Sequence, residues 1–115
     1  MVTKGVDRCL FAFPPEEWAA FKANIKANAD LSSKGRQLSR MFFSMAFEAT
    51  LDRQGRVLIP PKLAEYAGLT RDVTLAGVDD RLEIWDTQEW DRYLSGADDS
   101  FADIVEEFAG RESGV

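Results

Sequence analysis

Five consecutive residues, Asp52, Arg53, Gln54, Gly55 and Arg56, combine the residue types of a tight turn with those that recognise nucleic-acid bases. Asp52 can accept hydrogen bonds from the backbone that follows it, and Gly55 readily takes a positive φ. The guanidinium groups of Arg53 and Arg56 match guanine O6 and N7, and the amide of Gln54 matches adenine. We therefore predict a turn, shaped by Asp52 and Gly55, that enters the major groove of double-stranded DNA. The alternative is an ordinary tight turn made by Asp52 and Gly55, in which Arg56 lies on the surface or pairs with Asp52.

Arg36 and Arg40 are a second pair of candidates for contact with DNA. They lie four positions apart and so share one face of a helix. The interval from residue 22 to 40 holds five basic side chains and one acid, Asp30. Basic groups of this kind contact phosphates, which adds affinity without sequence information. The alternative is a solvated helix face.

The net charge of −6 does not exclude DNA as a partner, because the charge is unevenly distributed. Residues 86–115 carry nine acidic and two basic side chains, whereas residues 1–85 carry eleven acidic and twelve basic ones. Proteins bind DNA through local basic patches rather than through their average charge. The acidic C-terminal part can therefore coexist with a DNA-binding surface.

The composition argues against catalytic and metal centres. The chain has no histidine, which is the commonest general base near neutral pH and the commonest metal ligand. Its single cysteine, Cys9, cannot form an internal disulfide, and we expect a packed or half-exposed thiol there. We predict a protein that is not an enzyme and that has no metal site and no cofactor.

No segment indicates a membrane protein. No apolar run approaches the ~20 residues that a membrane span needs. No signal-peptide pattern follows Met1. We expect a cytoplasmic location and no membrane partner.

Two stretches of the chain repeat one pattern 72 positions apart. The matches are Gly5-Val6-Asp7 with Gly77-Val78-Asp79, Leu10 with Leu82, and Glu17-Trp18 with Glu89-Trp90. Such repeats indicate duplicated structural units. An extended stretch from about residue 44 to 72 precedes the second copy, but only four residues precede the first. By that count we expect the first unit to lack about 30 residues of its front part.

The expected loss has a consequence for the last strand of the first unit, residues 5–13. Val6, Leu10 and Phe13 would be left without cover, and an unpaired strand edge is a template for another chain. We therefore expect association between chains.

The hydrophobic periodicity predicts an α+β fold, with a period of 3.6 in some segments and of 2 in others. We predict helices near residues 15–28, 34–44, 61–67 and 87–95, and antiparallel strands within residues 45–51, 57–59, 73–77 and 81–85. The strands at 45–51 and 57–59 would form a hairpin around the 52–56 turn. A short acidic helix is expected after Ser95 and Gly96, with an apolar stripe of Phe101, Ile104, Val105 and Phe108. Helical spacing favours a core role, rather than base stacking, for Trp18, Phe21, Trp90 and Tyr93.

The order of motifs resembles the second repeat of the bacterial MraZ proteins. Those motifs are the turn with its flanking strand (Leu51 to Pro60), then Leu63, Ala67-Gly68-Leu69, Val73 to Gly77 and Leu82-Glu83-Ile84-Trp85. The resemblance covers about residues 1–94. It implies a duplicated swapped-hairpin fold of AbrB-like units: residues 1–43 as the remainder of the first repeat with its helices, 44–95 as a complete second repeat, and 96–115 as an acidic tail.

The resemblance also implies a function. It implies a sequence-specific transcriptional regulator that binds short direct repeats upstream of the division and cell-wall gene cluster. It further implies a ring-like homo-oligomer associated with the nucleoid. A functional alternative remains open, because half of the expected DNA-reading turns are absent: a truncated assembly or interaction module that has lost specific DNA binding.

Overall fold

Two β-hairpins, each followed by a helix, form the centre of the molecule. In the computed structural model, which describes residues 1–111, the strands are β1 (Val2–Lys4), β2 (Leu10–Ala12), β3 (Val73–Val78) and β4 (Arg81–Asp86). The helices are α1 (Pro15–Asn28), α2 (Ser33–Phe43), α3 (Pro61–Tyr66) and α4 (Thr87–Arg111). The strands form one antiparallel sheet in the order β1-β2-β4-β3. The predicted α+β class is confirmed.

The pairing of β2 with β4 relates the two hairpins by a local two-fold rotation. The register pairs Leu10 with Ile84, Phe11 with Glu83 and Ala12 with Leu82. Because Glu83 lies 72 positions after Phe11, the central pair joins equivalent positions of the two copies. The same offset of 72 positions relates Leu10 to Leu82 and Ala12 to Ile84, so the rotation exchanges the two flanking pairs. The pseudo-two-fold axis therefore passes between Phe11 and Glu83. The sequence repeat is thus also a repeat in space.

The core lies on both faces of this sheet, as expected from the alternation of side chains along a strand. On one face Val2, Leu10, Leu63 and Ala67 form a buried cluster. On the other face the buried cluster consists of Cys9, Phe11, Phe13 and Trp85, with Trp18, Phe21, Phe42 and Trp90 packed around it. The expectation that Leu10 and Phe13 lack cover is therefore wrong, because they are 0% and 5% exposed. Val6 is exposed, at 58%.

The predicted hairpin strands around the 52–56 turn are not formed in the structure. Within residues 48–60 no strand is assigned, and the one bridge nearby joins Phe47 to Val2. Phe47 and Val2 exchange two backbone hydrogen bonds of 2.8 and 2.9 Å. A two-stranded hairpin without further strands beside it is at best marginally stable in water, which explains why these arms remain unpaired.

Helix α4 is longer than predicted. It runs without interruption through Ser95 and Gly96 to Arg111, so the expected break at these residues is wrong. A glycine inside an exposed helix costs only about 1 kcal/mol relative to alanine. The apolar spacing at 90, 93, 94, 97, 101, 104 and 105 stays in helical phase across Gly96. Of the acidic tail expected at 96–115, residues 112–115 lie outside the described residues.

No described helix combines the length and the apolar character that a bilayer crossing requires.

Candidate nucleic-acid interface

The 52–56 turn is held together by the carboxylate and backbone of Asp52. Asp52 Oδ1 accepts hydrogen bonds from the backbone N–H groups of Gln54 and Arg56, each at 2.8 Å. The Asp52 N–H donates to the Arg56 carbonyl at 2.8 Å, and the Gly55 N–H donates to the Asp52 carbonyl at 3.0 Å. Four hydrogen bonds thus involve a single residue, and the local sequence alone fixes the shape of the turn.

Gly55 permits this shape through its backbone conformation. Its φ is +77°, which L-amino acids other than glycine rarely adopt. A Cβ atom built on Gly55 would meet no atom within 4 Å. The requirement for glycine is therefore conformational and not steric.

The side chains of Arg53, Gln54 and Arg56 are exposed to solvent. The Arg56 guanidinium donates through Nη2 to Gln54 Oε1. In the described part of the chain no ion pair joins Arg56 to Asp52, whose carboxylate binds backbone N–H groups instead. The turn therefore presents two cationic groups and one amide to solvent.

The two arms of the turn are anchored at their far ends and free near the tip. Ala49 and Ile59 pack against the core cluster that contains Leu63. Closer to the tip, Leu51 and Leu58 are 66% and 89% exposed. The tip of the turn is therefore exposed to solvent, while the far ends of its two arms are held against the core.

Arg36 and Arg40 line a cleft between α1 and α2, the α1–α2 cleft, with a volume of about 470 Å³. Lys22 and Lys26 of α1 lie on the same cleft. The Arg36 guanidinium donates to the Leu31 carbonyl, which fixes its position at the cleft wall. The turn residues 52–56 do not line this cleft, so the structure assigns the two sets of predicted basic residues to separate surfaces.

Asp30, the single acid of the cleft, accepts hydrogen bonds from Ser32 at the start of α2. Its Oδ1 accepts from the Ser32 backbone N–H at 3.0 Å and from the Ser32 hydroxyl, and these bonds lower the pKa of the Asp30 carboxyl below its ordinary value. Ser32 Oγ in turn accepts from the Gly35 N–H at 3.1 Å and caps the helix. A Cβ at Gly35 would lie 2.3 Å from the Asp30 carbonyl oxygen, so the chain can pass this closely only beside glycine.

Sequence reasoning did not include Lys22 and Lys26 among the site residues. Their spacing of four positions places them on one side of α1, the same signal that drew attention to Arg36 and Arg40. What the sequence does not show is that α1 and α2 bring the two pairs to one cleft. That requires the packing of Trp18 and Phe21 against Phe42 and Phe43, at ring-centroid distances of 5.1 to 6.5 Å.

Two observations concern metal binding and the single thiol. Within residues 1–111 no three His, Cys, Asp or Glu side chains are grouped as a metal site would require. Cys9 is fully buried, and burial, together with the carboxylates of Glu83 and Asp7, raises its pKa to about 12. A thiol in that state is protonated at neutral pH and is a poor nucleophile.

Residues 42–112 match the model of the MraZ protein family, which is also described as antitoxin-like. The chain belongs to the MraZ family. A curated relative, the transcriptional regulator MraZ of Desulforamulus reducens, is 43% identical over 106 residues, covering 92% of this chain and 75% of the relative. The matched family segment contains the 52–56 turn and both strands of the second hairpin. The resemblance to MraZ proteins noted in the motifs is thereby confirmed.

Proposed function

We propose that this MraZ-family protein is a transcriptional regulator that reads DNA sequence through its 52–56 turn. The observation that carries the proposal is the turn itself. A single aspartate accepts two backbone hydrogen bonds that fix the shape of the turn, while two guanidinium groups and an amide are exposed to solvent. The planar guanidinium group of arginine is well suited to bidentate contacts with base edges. The name of the relative in Desulforamulus reducens agrees with this function.

Each residue of the turn has a distinct proposed role. Arg53 and Arg56 each pair with a guanine through O6 and N7, and Gln54 pairs with an adenine. Asp52 and Gly55 do not touch DNA but set the direction of the arginines. The bond between Arg56 and Gln54 in the free protein is exchanged for base contacts on binding.

Arg36 and Arg40 are the proposed phosphate contacts. They lie on a cleft with two further lysines, and such a surface attracts a polyanion of any sequence. Their contribution would be affinity and salt dependence and not base preference.

The targets we propose are short direct repeats upstream of the division and cell-wall gene cluster, bound by a ring-like homo-oligomer. The protein would act in the cytoplasm, associated with the nucleoid. In this proposal residues 1–43 belong to the first AbrB-like repeat and residues 44–95 to the second, and the acidic second half of α4 extends beyond the second repeat. Several turns per oligomer would then contact successive repeats, which raises the affinity through multivalency.

The proposal is tested by measuring fluorescence anisotropy of labelled repeats and of a scrambled duplex. Arg53→Ala and Arg56→Ala should each weaken binding to the repeats by about 5- to 150-fold, because a bidentate base contact contributes about 1–3 kcal/mol. The matched pair Arg36→Ala and Arg40→Ala should weaken binding to both duplexes equally, and together they should reduce the salt slope by about 2. Equal affinity of the wild type and the Arg53/Arg56 double variant for the repeats would contradict the assignment.

A second candidate function is an assembly or interaction module without specific DNA binding. The unpaired arms favour it, since they enclose a groove of about 650 Å³ that includes Leu58, which is 89% exposed. In the same anisotropy series this function predicts no preference for the repeats over the scrambled duplex, while self-association in sedimentation persists.

A further inference from the structure

The α1–α2 cleft concentrates positive charge. Its lining includes four basic side chains and one acid, which are Lys22, Lys26, Arg36, Arg40 and Asp30. The chain has 20 acidic and 14 basic side chains, yet across residues 1–111 the ion pairs join only Arg81 and Arg92 to carboxylates. The carboxylate on the cleft accepts its hydrogen bonds from Ser32 and not from these cations. The cleft therefore keeps a positive charge that attracts an external anion.

The four cations form two pairs that follow one another along the cleft. Aromatic contacts between α1 and α2 set the register of the two helices, which are joined by the short connection 29–32. Counting along each helix from these contacts places Lys22 opposite Arg40 and Lys26 opposite Arg36. Four helical positions correspond to about 6 Å at about 1.5 Å per residue, which is the spacing of the two pairs along the cleft. A di- or triphosphate chain has a comparable length and can contact both pairs.

Phe43 adds an aromatic wall one helical turn beyond Arg40. It lines the cleft, and its half-buried ring makes T-shaped contacts with Trp18 and Phe21, at centroid distances of 5.9 and 6.5 Å. A partly exposed ring beside cationic groups is a platform on which a nucleotide base can stack. The cleft volume of about 470 Å³ lies within the range of about 300–1,000 Å³ that is typical of small-molecule sites. Size, charge and aromatic surface thus suit a nucleotide.

We propose that the α1–α2 cleft binds a nucleoside di- or triphosphate. Its phosphates lie between the two cation pairs, and its base stacks on Phe43. The Arg36 guanidinium donates to the Leu31 carbonyl and is held in place before the ligand arrives. Hydrogen bonds from arginine and lysine to phosphate oxygens are charge-assisted and strong. One consequence rests on the proposed function: a bound nucleotide would occupy Arg36 and Arg40 and displace the DNA phosphates assigned to them.

Isothermal titration calorimetry of the full chain, without DNA, tests the site with ATP and with inorganic tripolyphosphate at one ionic strength. We expect ATP to bind more tightly than tripolyphosphate, because stacking of the base adds to the phosphate contacts. Lys22→Gln/Lys26→Gln should weaken binding of both ligands at least about tenfold, because each pair loses one cation. Phe43→Leu should weaken ATP binding about fivefold or more and leave tripolyphosphate binding unchanged, a selective loss that a folding defect would not produce.

The matched control is Lys34→Gln/Lys62→Gln, which removes the same charge at exposed side chains outside the cleft and should leave both affinities unchanged. Absence of ATP binding to the wild type at millimolar concentration would overturn the inference, and so would equal weakening by the two double variants. Equal affinity of the wild type for ATP and tripolyphosphate, or an undiminished affinity of Phe43→Leu for ATP, would overturn the assignment of a nucleoside. Because no DNA is present, the result is independent of base reading, which the Arg53 and Arg56 variants test.

Discussion

Replacing Leu63 by alanine should strongly destabilise the protein, because Leu63 joins α3 to the sheet. Its side chain is 0% exposed and packs with Val2, Leu10 and Ala67. Removing three buried carbons costs about 2.4 kcal/mol at about 0.8 kcal/mol each, and the residual cavity raises the cost of a Leu→Ala change to about 3–5 kcal/mol. This is a large part of a typical unfolding free energy of about 5–15 kcal/mol. The melting temperature should fall by about 10–20 °C.

Leu58→Ala is the matched control for this prediction. The same substitution is made a few residues away, at a side chain that is 89% exposed, and should change the unfolding free energy by no more than about 0.5 kcal/mol. Urea titration followed by circular dichroism measures both variants. A loss below about 1 kcal/mol at Leu63, or an equal loss at both leucines, would refute the burial assigned to α3.

Three further predictions concern single residues. Cys9 is buried and its pKa is raised to about 12. At pH 8 a thiol reagent should therefore label the folded protein far more slowly than the urea-unfolded chain. Rapid labelling without urea would contradict the buried state. The pKa of Asp86 is lowered below its ordinary value of 3.8, chiefly by the hydrogen bond from the Thr70 hydroxyl at 2.6 Å. The ionised carboxylate therefore stabilises the folded protein fully above about pH 4, and this stabilisation is lost as the pH falls through the lower pKa of Asp86 in the folded state. Melting curves from pH 7 to 2.5 should show the wild type more stable than Asp86→Asn at pH 7 and the difference shrinking below pH 4; a constant difference would contradict this linkage. Gly55→Ala should strain the turn by about 1–2 kcal/mol and weaken binding to the repeats by about 5- to 30-fold. The control Gly96→Ala, in the interior of α4, should raise the melting temperature and leave DNA binding unchanged.

The helices near the N-terminus and the second hairpin follow from local sequence. The expected helix at 15–28 coincides with α1. Helix α2 begins and ends one residue earlier than expected, and α3 ends one residue earlier. Their apolar spacing is regular and proline opens α1 and α3, so local signals and tertiary packing agree. The strands β3 and β4 were likewise indicated by alternation on both sides of a turn at Asp79 and Asp80.

The misjudged elements are those in which local signals and tertiary context differ. Ser95 and Gly96 suggested a helix end, but a single exposed glycine is too weak a signal against a stripe that stays in phase. The alternation at 45–51 and 57–59 indicated strands, but strand pairing depends on neighbours that the pattern cannot supply. The repeat count leaves Leu10 and Phe13 without cover; in the structure Leu63 and Ala67 of the α3 region cover Leu10, and Trp18 and Phe21 of α1 cover Phe13.

The candidate site likewise has one part that local sequence predicts and another that depends on tertiary packing. The roles of Asp52 and Gly55 within the turn depend on hydrogen bonds between residues at most four apart, and such local chemistry can be deduced from residue types. The α1–α2 cleft depends on how two helices pack, and so Lys22 and Lys26 could not be assigned to it from spacing alone.

Base reading by the 52–56 turn is tested most directly by selecting bound duplexes from a randomised DNA pool and sequencing them. The wild type should enrich a short repeated motif that contains guanine. Arg56→Ala should enrich the same motif with the preference lost at one guanine, because one bidentate contact has been removed and the others remain. An unchanged motif in the Arg56 variant, or no motif for the wild type, would contradict base reading by this turn.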